Sequence, residues 1–104
     1  MKFVMLYITA PGVKEAKKIG TVLVKERLAA CANVIDKIQS IYWWNNKIEK
    51  GTESLLIAKT KASLAKKAID RVKAIHSYDC PCIVAVPIVE GNPAYLQWIT
   101  DETI

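Results

Sequence analysis

The residues best suited to chemistry lie in one short segment, residues 76–82. It holds the only histidine of the chain, His76, followed by one carboxylate, Asp79, and two thiols, Cys80 and Cys82. Imidazole, carboxylate and thiolate groups form a borderline-to-soft ligand set that suits copper or zinc. Because Cu(II) favours imidazole over carboxylate alone, we predict a metal site that depends on His76, with Cys80 and Asp79 as helpers.

The same residues have interpretations that need no metal. His76 ends a predicted helix, where a histidine interacts favourably with the terminal carbonyl groups. Cys82 begins an apolar run, and a free cysteine in such a run is commonly buried. Cys31 is flanked by alanines and is expected to be a packing residue. A hydrolase that pairs Cys31 with His76 stays open as an alternative, although no glycine motif for an oxyanion accompanies the pair.

Three consecutive aromatic residues, Tyr42, Trp43 and Trp44, lie in a predicted strand. Side chains alternate between the two faces of a strand, so Tyr42 and Trp44 share one side and Trp43 takes the other. A single sheet with helices on one face does not cover both sides. We therefore predict that a partner subunit covers the second face.

The periodicity of the apolar residues indicates the elements that must position these groups. Residues 3–9 are a nearly continuous apolar run, which is typical of a central strand. Apolar positions then recur at helical spacing over residues 13–28. The predicted elements that follow are strands 33–44 and 54–59 joined by a turn at 45–47, a helix capped by Ser63 with an apolar stripe from Ala65 to Ile75, a strand 83–89, and a short helix starting at Asn92 and Pro93.

This order, β-α-β-β-α-β with an extra C-terminal helix, predicts an α+β fold. It is the ferredoxin-like arrangement, in which one antiparallel sheet carries two helices on one face. At 104 residues the chain suits a single domain, residues 1–104. Many functions use this fold, so the topology alone does not determine an activity.

Charge and composition argue against a nucleic-acid or membrane protein. Fifteen Lys and Arg against ten Asp and Glu give a net charge of +5, but the basic residues are scattered over helix faces. The third strand, near residues 50–57, lacks the aromatic residues on which RNA bases stack. The apolar run at residues 3–8 is too short for a signal peptide, and no stretch approaches the ~20 apolar residues of a membrane span. We therefore predict a cytoplasmic protein with reduced thiols.

Five ordered blocks of residues resemble successive signatures of the CutA divalent-cation tolerance family. Together they extend over almost the whole chain, and such a series is far more specific than any single motif. The blocks are residues 26–33 (ERLAACAN), 40–44 (SIYWW) with 47–49 (KIE), 59–60 (KT), 76–81 (HSYDCP), and 90–92 (EGN) with 95–98 (YLQW).

The resemblance implies a homotrimer in which the sheets of the protomers join edge to edge and the long hairpin reaches onto neighbours. Members of the family are linked to tolerance of divalent metals, notably copper, and in animals to the anchoring or processing of acetylcholinesterase. The trimer is also similar to that of the PII signalling proteins, whose ligands bind between subunits. By that similarity, the candidates for lining an inter-subunit cleft are Tyr42, Trp44, Lys59, His76 and Tyr78.

The chain departs from the family pattern at positions that matter for a metal. Ser77 stands where a proline usually follows the motif histidine, and Cys82 stands where a glutamate usually follows the second proline of the motif. Ile75 replaces the second histidine that some members carry. Any copper site must therefore recruit Cys80, Asp79 or a neighbouring subunit.

These observations predict a non-enzymatic trimeric protein of divalent-metal tolerance, with copper or another divalent metal as its ligand. The alternative is a regulatory scaffold of the PII type that binds a small anionic ligand between subunits. A thermal-shift comparison of metals with phosphate-bearing ligands separates the two, because only a ligand of the native state raises the melting temperature.

Overall fold

The computed structural model describes residues 2–104 and shows four strands and three α-helices there, in the predicted β-α-β-β-α-β order with a further C-terminal helix. The elements are β1 (Phe3–Ala10), α1 (Val13–Lys25), β2 (Cys31–Trp44), β3 (Lys47–Lys61), α2 (Ala65–Ile75), β4 (Ile83–Ile88) and α3 (Pro93–Glu102), with a 3-10 turn (Ala62–Leu64) before α2. Within the same residues, no helix is long and apolar enough to cross a membrane.

The strands form one antiparallel sheet in the order β2-β3-β1-β4. β1 is a central strand, in which Phe3 lies opposite Lys61 on one side and opposite Ile88 on the other. The core-facing residues of β1 are buried and its other residues are at least half-buried, which fits the nearly continuous apolar sequence of the strand. The strand order is that of the ferredoxin-like fold, so the predicted α+β architecture is confirmed.

The hydrophobic core lies between the sheet and helices α1 and α2. The core-facing residues of β1 include Val4, Leu6 and Ile8. The opposite wall comes from the apolar stripes of the two helices, whose fully buried members are Ala16, Ile19, Leu23, Ala68 and Val72. α1 approaches the sheet closely at Gly20, where an added Cβ would stand 3.1 Å from both Ala32 Cβ and Leu56 Cδ1. The missing side chain at Gly20 therefore lets α1 lie directly against β2 and β3.

Helix α1 ends at Lys25, three residues before the predicted end at residue 28. Arg27 adopts a positive φ of 60°. The N–H groups of Arg27 and Leu28 donate to the carbonyls of Val24 (3.1 Å) and Leu23 (2.9 Å). These two bonds define a Schellman motif with Arg27 in the left-handed position. The predicted end is wrong because Leu28 joins the core just after the helix has stopped.

The starts of α2 and α3 differ in their capping. Ser63 is predicted to cap α2, but it lies inside the 3-10 turn and α2 has no side-chain cap, so that prediction is wrong. The turn instead provides a backbone acceptor for the Ala65 N–H. At α3, Asn92 Oδ1 accepts a hydrogen bond from the Ala94 N–H at 3.1 Å and Pro93 takes the first helical position, as predicted.

Strands β2 and β3 form a hairpin that extends well beyond the rest of the sheet. β1 pairs with β3 only from Ser54 onward, so residues 38–53 form a two-stranded ribbon with no third strand, which we call the arm. Asn45 and Asn46 form its turn with positive φ values of 51° and 63°, as the predicted turn requires. β3 begins at Lys47 rather than at residue 54. Its first half is mostly polar, and its extended state depends on pairing with β2.

The face of the sheet opposite α1 and α2 is only partly covered. The even-numbered residues of β3 from 54 to 60 are buried in the core, so the odd-numbered residues there point to the opposite face. α3 covers one corner of this second face, where the Lys59 ammonium lies 5.8 Å from the centroid of the Tyr95 ring. Apolar residues on the second face that stay exposed are Ile35, Val84 and Val86.

Candidate functional site

The segment after α2, residues 76–82, carries the predicted metal ligands, and we call it the bend. His76 is the C-cap of α2, and its side chain is completely buried, with 0% of its surface exposed. Its Nε2 lies 2.8 Å from the Thr9 carbonyl oxygen, and its Nδ1 lies 3.0 Å from the Tyr78 backbone nitrogen. Since a carbonyl accepts and a backbone N–H donates, the network assigns the neutral tautomer with its proton on Nε2. Both ring nitrogens are therefore bonded within the chain.

Glu15 of α1 anchors the start of the bend. Its Oε2 accepts hydrogen bonds from the Ser77 backbone N–H at 3.0 Å and from the Ser77 hydroxyl at 2.9 Å. Burial acts to raise the pKa of Glu15, but the bonds from Ser77, together with nearby positive charge such as that of Lys18, hold the pKa below its ordinary value of 4.5. Glu15 Oε2 also lies 3.4 Å from His76 Nδ1. Because Nδ1 of the neutral tautomer accepts the Tyr78 N–H, this contact is not an ion pair.

Tyr78 connects the bend to the arm. Its hydroxyl donates to Glu53 Oε2 at 2.9 Å, and its ring centroid lies 4.8 Å from that of His76. Burial, followed by the hydrogen bond and charge of Glu53, raises the pKa of Tyr78 to about 12. The phenol is therefore a neutral hydrogen-bond donor at physiological pH. The bend is therefore bonded to α1 through Ser77 and to the arm through Tyr78.

The later residues of the bend are open to solvent, among them Asp79, Cys80 and Cys82. The expectation that Cys82 is buried is wrong for this chain by itself, because Ile83 takes the core-facing position and turns Cys82 to the opposite face. Within the described part of the chain, no three His, Cys, Asp or Glu side chains are grouped as metal ligands. One subunit thus does not gather His76, Asp79 and Cys80 around one point, and the predicted metal site stays a prediction.

The residues predicted to line an inter-subunit cleft lie on three different elements. They are His76 and Tyr78 in the bend, Tyr42 and Trp44 exposed on the arm, and Lys59 near the end of β3. Lys59 Nζ donates to Asn33 Oδ1 at 2.8 Å. Lys59 is six residues along β3 from Glu53, or about 20 Å at the rise of a strand. One subunit therefore does not bring all five residues together, and the cleft stays a prediction.

Cys31 is half-buried, and its thiol lies 3.7 Å from Asn33 Oδ1. The general base that a cysteine nucleophile needs would have to be His76, whose two nitrogens are bonded to Thr9 and Tyr78. This arrangement offers no activated Cys-His pair.

Thr9, Glu15 and Glu53 hold the bend in place, yet no pattern in the sequence singles them out. Thr9 lies 67 positions from His76, and Glu15 lies 62 positions from Ser77. Contacts at such separations depend on the fold rather than on local spacing. The one available signal is the acidic residue in the first turn of α1, which favours a helix N-terminus in any case.

Comparisons with known proteins give one consistent family. A family model described as "CutA1 divalent ion tolerance protein" matches residues 4–102. The divalent-cation tolerance protein CutA of Archaeoglobus fulgidus is 46% identical over 99 residues, covering 95% of each chain. The human protein CutA is 42% identical over 97 residues, which cover 93% of this chain and 54% of the human protein. The chain therefore spans about half the length of that relative.

Solved structures agree with the sequence matches. The CutA1 structure from Thermus thermophilus is 45% identical and superposes with a TM-score of 0.93, covering 99% of both chains. A structure described as the periplasmic divalent cation tolerance protein CutA of Archaeoglobus fulgidus also gives a TM-score of 0.93, at 43% identity over 96% of this chain and 97% of that one.

Proposed function

The chain belongs to the CutA1 divalent ion tolerance protein family, and on that premise we propose that it acts in divalent-cation tolerance as a non-enzymatic homotrimer. The observation that carries the proposal is the arm. It projects beyond the sheet with apolar residues on both faces, including Trp43 on one and Trp44 on the other, which are 71% and 54% exposed. A two-stranded ribbon is only marginally stable in water on its own, and large exposed apolar patches mark contact surfaces.

The edges of the sheet supply a second reason for self-association. β2 and β4 are the two edge strands, and each offers unpaired backbone groups. If the β2 edge of one subunit meets the β4 edge of the next, a closed ring leaves no free edge, and the arm can lie on a neighbour. The exposed residues Val84 and Val86 on the second face would then be covered. That the proposed ring has three subunits rests on the resemblance to the family.

The absence of an enzymatic role is part of the proposal. His76, the only imidazole, uses one nitrogen to hold Thr9 and the other to hold Tyr78. Those bonds give the histidine a structural task and remove it from acid-base work. The family description likewise names ion tolerance and no reaction.

We place the ligand site between subunits, with copper or another divalent metal as the ligand. Asp79 and Cys80 are exposed in the bend, whereas His76 is enclosed. A divalent metal that prefers four or more ligands would need groups from more than one subunit, since one subunit offers no set of three within residues 2–104.

A PII-like scaffold for a small anion is the second candidate, favoured by Lys59. Its ammonium group is held by the Asn33 amide oxygen and the face of the Tyr95 ring, and among residues 2–104 it forms no salt bridge. An ammonium without a carboxylate partner can pair with an anionic ligand.

A cytoplasmic location is also part of the proposal. The three cysteines are free thiols, which suits a reducing compartment. Cell fractionation with compartment markers tests it, and recovery of the protein outside the cytoplasm would refute it. The related protein from Archaeoglobus fulgidus is described as periplasmic, and that description concerns the relative alone.

Light scattering of the purified chain tests the homotrimer. We expect a mass of three times 11.6 kDa. Trp43→Glu should dissociate the assembly, because it places a charge in the proposed contact. Lys14→Glu, a change of charge at an exposed residue of α1, should leave the trimer intact. A wild-type monomer at micromolar concentration would overturn the proposal, and a thermal shift by phosphate-bearing ligands but not by copper would favour the PII-like scaffold.

A further inference from the structure

Cys80 and Cys82 are exposed free thiols separated by a single residue, Pro81. We propose that these two thiols form a two-coordinate site for Cu(I). The site deepens the proposed role in metal tolerance and rests on it, but it uses a ligand pair that does not include the buried His76.

The backbone around Pro81 favours a shared ligand. Proline fixes its own φ and keeps the preceding residue, Cys80, out of the helical region. The Cys82 carbonyl accepts a hydrogen bond from the Thr9 N–H at 3.3 Å, which continues the β1–β4 pairing one step beyond Ile83. In any conformation, residues 80 and 82 lie at most about 7 Å apart at their Cα atoms. Two thiol groups on residues this near to each other can both turn toward a single ion.

The bend holds the pair on a fixed frame. Thr9 is bonded on both sides, since its carbonyl accepts from His76 Nε2 and its N–H donates to Cys82. The bonds of Ser77 and Tyr78 fix the first half of the bend to α1 and to the arm. Because these contacts order the chain before a metal arrives, little conformational freedom is lost when the ion binds.

The number and type of ligands select the metal. Zn2+ in a structural site takes four ligands. Within residues 2–104, no further His, Cys, Asp or Glu side chain is grouped with Cys80 and Cys82 as a third ligand. Soft thiolate ligands select Cu(I), which two thiolates in a linear arrangement satisfy. Binding converts two thiols and one Cu(I) into a dithiolate complex of net charge minus one and releases two protons. Two sulfur–copper bonds form, two S–H bonds break, and no electron is transferred.

The test uses the purified full chain without oxygen, with Cu(I) supplied in complex with the colorimetric chelator bicinchoninate. We expect one Cu(I) per chain. Cys80→Ser and Cys82→Ser should each weaken the affinity by more than about 100-fold, since losing a ligand exceeds the 10–100-fold loss typical of outer contacts. Cys31→Ser is the matched control, because its half-buried thiol is bonded to Asn33, and it should bind as wild type.

Undiminished binding in both Cys80→Ser and Cys82→Ser, or an equal loss in Cys31→Ser, would overturn the site. Thermal melts of the same variants separate ligand loss from unfolding, because serine at two exposed positions should leave the fold intact. Light scattering on the same samples keeps the two proposals apart. A monomer that binds Cu(I) through Cys80 and Cys82 would refute the homotrimer and support the site, whereas a trimer without such binding would refute only the site.

Discussion

At the scale of single residues, His76 is best tested through stability. Its ring satisfies the Thr9 carbonyl and the Tyr78 N–H from a completely buried position. Alanine leaves both groups without partners, at a cost of about 1–3 kcal/mol each. We expect His76→Ala to lower the free energy of unfolding by roughly 2–4 kcal/mol in urea denaturation. The exposed Asp79→Ala is the control, and unchanged stability with lost copper affinity in His76→Ala would make the histidine a ligand instead.

The role of a single residue could be predicted from the sequence only where its bonding partner lies within a few positions along the chain. The sequence places His76 at a helix end, yet the carbonyl that it meets belongs to Thr9 on β1 and not to its own helix. Asn92 and Pro93 begin α3 as predicted, because a side-chain cap acts within three residues. The exposure of Cys82 could not be read from its apolar neighbours, since it depends on which face of β4 the core occupies.

At the scale of elements, the contact of α1 with the sheet depends on Gly20. A Cβ there already stands 3.1 Å from Ala32 Cβ and Leu56 Cδ1, and valine adds two further methyl groups. We expect Gly20→Val to lower the free energy of unfolding by about 1–3 kcal/mol, as overpacking does. The control is Gly51→Val, a strand position with open space around it, where a branched residue suits the backbone. Equal melting temperatures for the two variants would contradict the close packing of α1.

The pairing of α1 with α2 should depend on pH. Arg71 of α2 holds the Glu26 carboxylate with both Nε and an Nη atom, the Nε–Oε1 distance being 2.9 Å. The hydrogen bonds from Arg71, with its charge, lower the pKa of Glu26 below its ordinary value of 4.5. A group with a lowered pKa stabilises the fold above that ordinary value and stops doing so as pH falls through the lower folded value.

Arg71→Met should therefore melt at a lower temperature than wild type at pH 7, and the difference should shrink as the pH falls below 4.5. Lys66→Met serves as the control, because the Lys66–Asp70 pair is highly exposed and lies within one helix. Calorimetric melts across the acid range measure both. A difference for Arg71→Met that stays constant with pH would show that the ion pair is not its source.

Element types followed from periodicity, whereas element ends did not. The apolar stripes of α1 and α2 predict both helices, but the end of α1 is set by Arg27, which takes a left-handed conformation more usual for glycine. The polar half of β3 carries no strand signal of its own. It is extended because β2 pairs with it through the arm.

At the scale of the whole molecule, an assembly makes stability depend on concentration. A native trimer is favoured by mass action, so the melting temperature of the wild type should rise over about a hundredfold range of protein concentration. Trp43→Glu should melt lower, with little dependence on concentration, because its arm can no longer lie on a neighbour. A wild-type melting temperature that is independent of concentration would argue against a reversible assembly.

The place of β1 in the sheet has a consequence for how the chain is made. β1 precedes every other strand, yet it lies between β3 and β4, and Phe3 finds its partners only at Lys61 and Ile88. A ribosome delivers the chain in sequence order, so β1 leaves the exit tunnel long before either neighbour exists. Its apolar side chains stay uncovered until almost the whole domain has emerged, and such a segment is prone to aggregate. The sheet can therefore be completed only after β4 has left the exit tunnel.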